Sequence, residues 1–178
     1  MTTAAFAEPA RIFEYYGRSV DALHVLDAEL RAGRLPSDRF DPLLTPSEID
    51  ATIRDMQDEL KREVSLALLA SAEAVLRADF LARTTGRLKN VPRIRQEFRH
   101  LAKKWKERVP LVEIIRAWRD DRDARRSHFD ALIEYQGLRD WLAHGRYWSL
   151  KTARSAEPED VVAAVREVFA VLPGFPPI

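Results

Sequence analysis

Apolar side chains recur at three- and four-residue intervals along almost the whole chain, and that spacing admits helices and little else. There are only six glycines in 178 residues. No stretch alternates apolar and polar residues long enough to read as a strand. Most breaks between apolar stripes carry proline, which cannot continue a helix, or glycine, which weakens one.

The stripe Ile12, Tyr16, Val20, Leu23, Leu26, Leu30 predicts a first helix from Pro9 to about Ala32, closed by Gly33. After a loop with Pro36, Pro42 and Pro46, the run Thr45-Pro46-Ser47-Glu48 reads as a capping box. The stripe Ile49, Ile53, Met56, Leu60, Val64, Ala67 then continues towards Phe80, with Gly86 as the stop. An unbroken helix of that extent is about 60 Å long. From Val64 onward it is apolar on more than one face, so its second half belongs at the centre. A third helix fits between Pro92 and Pro110, with Phe98, Leu101 and Trp105 on its buried side. A fourth helical region spans Leu111 to Ala143, with a break expected near Asp120-Asp121. A last helix, Pro158 to Leu172, buries Val161, Val165, Val168, Phe169 and Leu172. Residues 1–178 therefore read as one all-α domain, a bundle of five to six helices with one long early helix.

Hydrophobic residues make up 46% and charged residues 32%, the balance of a chain with a core and a solvated surface. The absence of cysteine removes disulfides, thiolate metal sites and cysteine nucleophiles, and fits the cytoplasm. Met1–Ala10 has no basic region followed by an apolar run, so no signal peptide is expected. Val64–Leu76, the most apolar stretch, contains Glu73 and is too short to span a bilayer, so no membrane association is expected.

The net charge of +1 hides an uneven distribution. Residues 83–108 carry ten basic and two acidic side chains, whereas residues 1–82 are strongly acidic. Such a segment is either a solvated helix face or a surface for a polyanion. Arg93, Arg95, Arg99, Lys103, Lys104 and Lys106 are the residues that would hold an RNA backbone there. Trp105 and Phe98, at helical spacing, belong either to the core or to a base-stacking surface.

Histidine spacing gives no metal site, and no phosphate-cradling glycine loop or nucleophile elbow occurs. No metal or cofactor is expected. All four histidines have an arginine five or six positions upstream, which a chain with 23 arginines supplies by chance. Only Arg139–His144 has an informative frame. Polar Asp140 follows the arginine, Trp141, Leu142 and Ala143 anchor the segment, Gly145 follows the histidine, and Tyr147 and Trp148 return to apolar character. Read without further context, this is a helix C-terminus at which His144 meets the last carbonyls.

The stretch Arg139-Asp140-Trp141-Leu142-Ala143-His144-Gly145 resembles the signature of the HEPN superfamily (higher eukaryotes and prokaryotes nucleotide-binding). The close match covers about ten residues, late in an all-helical layout. A toxin subgroup of that family carries tyrosine two positions after the histidine; here Arg146 stands there and Tyr147 comes one later. The resemblance implies a metal-independent endoribonuclease of the kind used as toxins or antiviral effectors. It makes Arg139 and His144 the catalytic pair, Asp140 the polar residue of the motif and Tyr147 a supporting residue. It also implies a homodimer, RNA as substrate and, in a toxin setting, an antitoxin or nucleotidyltransferase partner. Two alternatives stand beside it: a non-catalytic HEPN module that binds a nucleotide or partner protein, and a plain helical interaction domain.

The chemistry suits that pair. RNA carries its own nucleophile, the 2′-OH. An imidazole, which titrates near ~6.5 when unperturbed, can exchange its proton. A guanidinium can grip the phosphate and stabilise developing charge. Five positions along a regular helix put Arg139 and His144 about 140° apart around the axis. Either the helix frays at His144-Gly145, or two subunits complete the site, with Trp141, Tyr147 and Trp148 as interface candidates.

Overall fold

The computed structural model describes residues 9–35, 44–86, 92–106, 108–121, 126–143 and 157–172. They form six helices: α1 Pro9–Arg31, α2 Pro46–Thr84, α3 Pro92–Trp105, α4 Leu111–Asp120, α5 Arg126–Ala143 and α6 Pro158–Val171. No strand occurs among the described residues. The break expected near Asp120-Asp121 separates α4 from α5, with Asp121 in extended backbone (φ −69°, ψ 136°) capping α4.

Helix termini follow the local sequence. Gly33 takes φ 65°, its N–H bonds Leu30 O, and Arg34 N–H bonds Glu29 O, a Schellman closure of α1. The capping box at α2 forms as the sequence predicts. Glu48 N–H donates to Thr45 Oγ1 (3.4 Å), and Thr45 N–H donates to Glu48 Oε2 (2.7 Å). That backbone donor holds the Glu48 carboxyl below its ordinary pKa. Thr45→Ala is expected to cost about 1 kcal/mol of folding stability, measurable as a lower denaturation midpoint at unchanged slope.

The 39-residue α2 is the axis of the bundle and touches all five other helices. Its second half buries Val64, Leu68, Leu69, Ala72, Val75 and Leu76, as its apolarity on several faces requires. α1 folds back along its first half, where Arg31 at the end of α1 pairs with Asp50. α6 starts beside its middle, where Lys61 pairs with Glu157 at 2.8 Å. The remaining core comes from Ile94 and Phe98 of α3, Ile114, Ile115 and Trp118 of α4, Phe129 and Leu132 of α5, and Val161, Val165 and Val168 of α6. Phe98 packs between Phe80 at 4.9 Å and the edge of Trp118 at 6.0 Å between ring centres. Two residues of the sequence stripes face outward instead: Met56, ahead of the crowded half of α2, and Trp105, at the end of α3.

A charged group lies inside this core. Asp79 and Arg83, one turn apart on α2, are both buried, with Arg83 Nε donating to Asp79 Oδ1 at 2.8 Å. Trp118 Nε1 donates to the other oxygen, Oδ2, at 3.0 Å, and the Arg83 guanidinium stands 4.9 Å over the Trp118 ring. Arg83 therefore belongs to the interior and not to the solvent-facing basic segment. Burial pushes the Asp79 carboxyl up to about 6, against the opposing pull of Arg83 and Trp118.

Candidate active site

Arg139 lies on α5, four residues before the last residue of that helix, and is half-buried. Its guanidinium is held from two sides. One terminal nitrogen donates to Glu73 Oε2 of α2 at 2.5 Å, the other to Asp140 Oδ1 at 3.0 Å. Burial works against the Arg139 charge, but the Asp140 hydrogen bond and the Glu73 charge outweigh it and raise its pKa. Asp140 is exposed, whereas the Glu73 side chain is only 17% exposed. Leu142 is buried and Trp141 half-buried, so the anchor after the arginine is in place. His144, Gly145, Tyr147 and Trp148 lie outside the described residues, and the Arg139–His144 pair of the sequence falls partly there.

Glu73 is the residue that sequence reasoning passed over. It is the lone carboxylate in the apolar run Val64–Leu76. A charge in such a run is expensive unless a partner satisfies it, and that was the available signal. Its second oxygen accepts from Arg77 Nε at 2.7 Å, and Arg77 Nη1 donates to the carbonyl of Val109 at 3.1 Å. Arg139, Glu73, Arg77 and Val109 thus form one line of contacts from α5, across α2, to the segment between α3 and α4.

The six cations expected to hold RNA are not equivalent. Arg99, Lys103, Lys104 and Lys106 are exposed on α3 and the turn after it. Arg95 is half-buried, packed towards the turn at Gly86; a Cβ built there would stand 2.9 Å from its Nη2. Gly86 holds φ 82°, so glycine suits that turn on backbone grounds as well. Arg93 is exposed and faces a groove of about 640 Å³ between α3 and α4. Glu97, His100, Glu113, Asp120 and Asp121 also line that groove, so its wall carries more carboxylates than cations.

Elsewhere, His128 Nδ1 lies 3.1 Å from Glu167 Oε2 and ties α5 to α6. Among the described residues no cluster of three or more histidine and carboxylate side chains is arranged to hold a metal ion. No helix among them is long and apolar enough to cross a membrane. Comparison with protein-family models, with curated proteins and with solved structures returns no match for this chain.

Proposed function

We propose that the chain is a HEPN-type endoribonuclease that cleaves RNA without a metal ion, with Arg139 and His144 as its catalytic pair. The observation that carries this reading is the setting of Arg139. In the frame Arg139-Asp140-Trp141-Leu142-Ala143-His144-Gly145 it is a partly exposed arginine whose head group is fixed from a neighbouring helix by a half-buried carboxylate. Preorganised charge of that kind stabilises a transition state without reorganising during the reaction.

In the proposed reaction His144 takes the proton of a 2′-OH, and the 2′-oxygen attacks the adjacent phosphorus. The bond to the 5′-oxygen breaks, the resulting His144 imidazolium gives its proton to the leaving oxygen, and a 2′,3′-cyclic phosphate and a 5′-OH remain. Arg139 holds the non-bridging oxygens. Glu73 is its positioning residue. Asp140, exposed and on the opposite nitrogen, occupies the place a phosphate oxygen takes when RNA binds. A twofold dimer brings two copies of the motif to one cleft and removes the problem of the 140° separation. A toxin or antiviral role, with an antitoxin or nucleotidyltransferase as partner, belongs to the same reading.

The strand chemistry tests it. Replacing one ribose at a cleavage position by 2′-deoxyribose is expected to abolish cleavage there and leave neighbouring positions unaffected. Cleavage at the deoxy position would refute the mechanism. Glu73→Gln is expected to lower kcat by about tenfold to 10²-fold with little change in KM, because it loosens Arg139 without removing a phosphate contact. An unchanged kcat would show that Glu73 does not position the arginine.

One observation favours the alternative of a non-catalytic HEPN module. Both terminal nitrogens of Arg139 already have carboxylate partners, as in a purely structural arginine. That reading predicts RNA or nucleotide binding with no cleavage and no effect of His144→Ala.

A further inference from the structure

Phe98, Leu101 and Trp105 share one stripe of α3, yet their fates differ. Phe98 is fully buried and Leu101 nearly so, whereas Trp105 is 40% exposed. Part of the Trp105 side chain is therefore left in water at the end of the helix. Around it the chain carries Lys103, Lys104, Lys106 and Arg108, all exposed. Lys104 Nζ stands 5.3 Å from the centre of the Trp105 ring. None of these four cations has a carboxylate within salt-bridge distance among the described residues, while the cations of α1 and α4 are mostly paired.

We propose that this turn is a docking platform for single-stranded nucleic acid, with Trp105 stacking on one base and Lys103, Lys104, Lys106 and Arg108 taking the flanking phosphates. An aromatic ring amid cations that no described carboxylate pairs suits an unpaired strand, because every base has a π-face and every linkage a charge. A duplex keeps its base faces stacked inside and gains only the electrostatic part. Charge on the other flank of α3 directs the strand. The groove towards α4 sets four carboxylates, Glu97, Glu113, Asp120 and Asp121, against the two cations Arg93 and Arg116, with Glu113 and Asp120 already ion-paired, so the Trp105 end is the more favourable path for a phosphate chain.

The platform also has a connection to the candidate active site. Arg108 directly precedes Val109, whose carbonyl is bonded by Arg77, which pairs with Glu73, which holds Arg139. Three hydrogen-bonded contacts thus link Val109, next in the chain to Arg108 of the platform, to the arginine proposed to grip the scissile phosphate. The inference rests on the nucleic-acid part of the function proposed above but not on cleavage.

The experiment uses the full chain carrying His144→Ala, so that the ligand stays intact, and single-stranded oligouridylate followed by tryptophan fluorescence. Binding is expected to quench the emission, and Trp105→Phe to remove most of that quenching. Trp105→Ala is expected to bind about fivefold to 10²-fold more weakly, and Lys103→Ala with Lys106→Ala to flatten the salt dependence. Oligodeoxythymidylate is expected to bind comparably, since stacking and phosphate contacts do not require the 2′-OH. Equal affinity in Trp105→Ala, equal affinity for a duplex of the same length, or equal affinity for polyglutamate or phosphatidylserine vesicles would overturn the platform. Cleavage by the enzyme with His144 intact, unaltered by Trp105→Ala, refutes the platform alone. Trp105-dependent binding without cleavage refutes the catalytic reading alone.

Discussion

Asp79→Ala is expected to lower folding stability by about 3–5 kcal/mol, the largest loss foreseen for a single substitution in this chain. Truncation removes the carboxylate that the buried Arg83 Nε bonds and the acceptor of the Trp118 N–H. Both are donors in the interior, and each is costly when unpaired. Asp79→Asn is expected to be far milder, because it keeps an acceptor and removes a charge that burial already disfavours. The pH dependence follows from the same raised pKa. Asp79 titrates near 6 in the folded chain, above the ordinary 3.8, so the folded state takes up the proton first as pH falls. The contribution of this group therefore favours folding at low pH and is lost as pH rises from about 4 through about 6. As pH rises over that interval, wild type should lose stability relative to Asp79→Asn, and as pH falls it should regain it. Thermal or denaturant unfolding checks both points. A nearly neutral Asp79→Ala, or an Asn variant as damaged as the Ala one, would show that the buried group does not stabilise the core as described.

Arg139→Ala is expected to reduce kcat by about 10²-fold to 10³-fold, the loss typical of removing one preorganised donor to developing negative charge. Arg139→Lys should be nearly as damaging. A lysine keeps the charge but lacks the fork that lets one head group bond Glu73 through one nitrogen and a phosphate, in place of Asp140, through the other. Recovery of most activity by lysine would mean that charge alone matters and that the Glu73 contact is incidental. Asp140→Asn separates the roles of the two carboxylates. It is expected to tighten RNA binding, by removing the side chain that competes with phosphate, while leaving kcat close to that of wild type.

The architecture was legible because periodicity and terminators act locally. The α2 start at Thr45-Pro46-Ser47-Glu48, the closure at Gly33 and the break at Asp120-Asp121 each depend on a few adjacent residues, and each was readable in the sequence. What depends on helices meeting in space was not. Asp79 and Arg83 form an ordinary i, i+4 pair on paper; their burial follows from Trp118, 39 residues from Asp79, closing over them. Glu73 and Arg139 are 66 residues apart, and only the packing of α5 on α2 brings them together. Trp105 shares the periodicity of Phe98, but α3 ends there and leaves it 40% exposed where Phe98 is fully buried. Periodicity assigns a face of a helix; it does not say where along the axis the neighbouring helix stops.

Arg139 and His144 are proposed to cut RNA with no metal. The most direct test of this is incubation of purified protein with single-stranded RNA in EDTA, beside His144→Ala and a DNA strand of the same sequence. Wild type is expected to cleave the RNA to products ending in a 2′,3′-cyclic phosphate, DNA to stay intact, and His144→Ala to be inactive while remaining folded. No cleavage by wild type, or cleavage undiminished in His144→Ala, would contradict it.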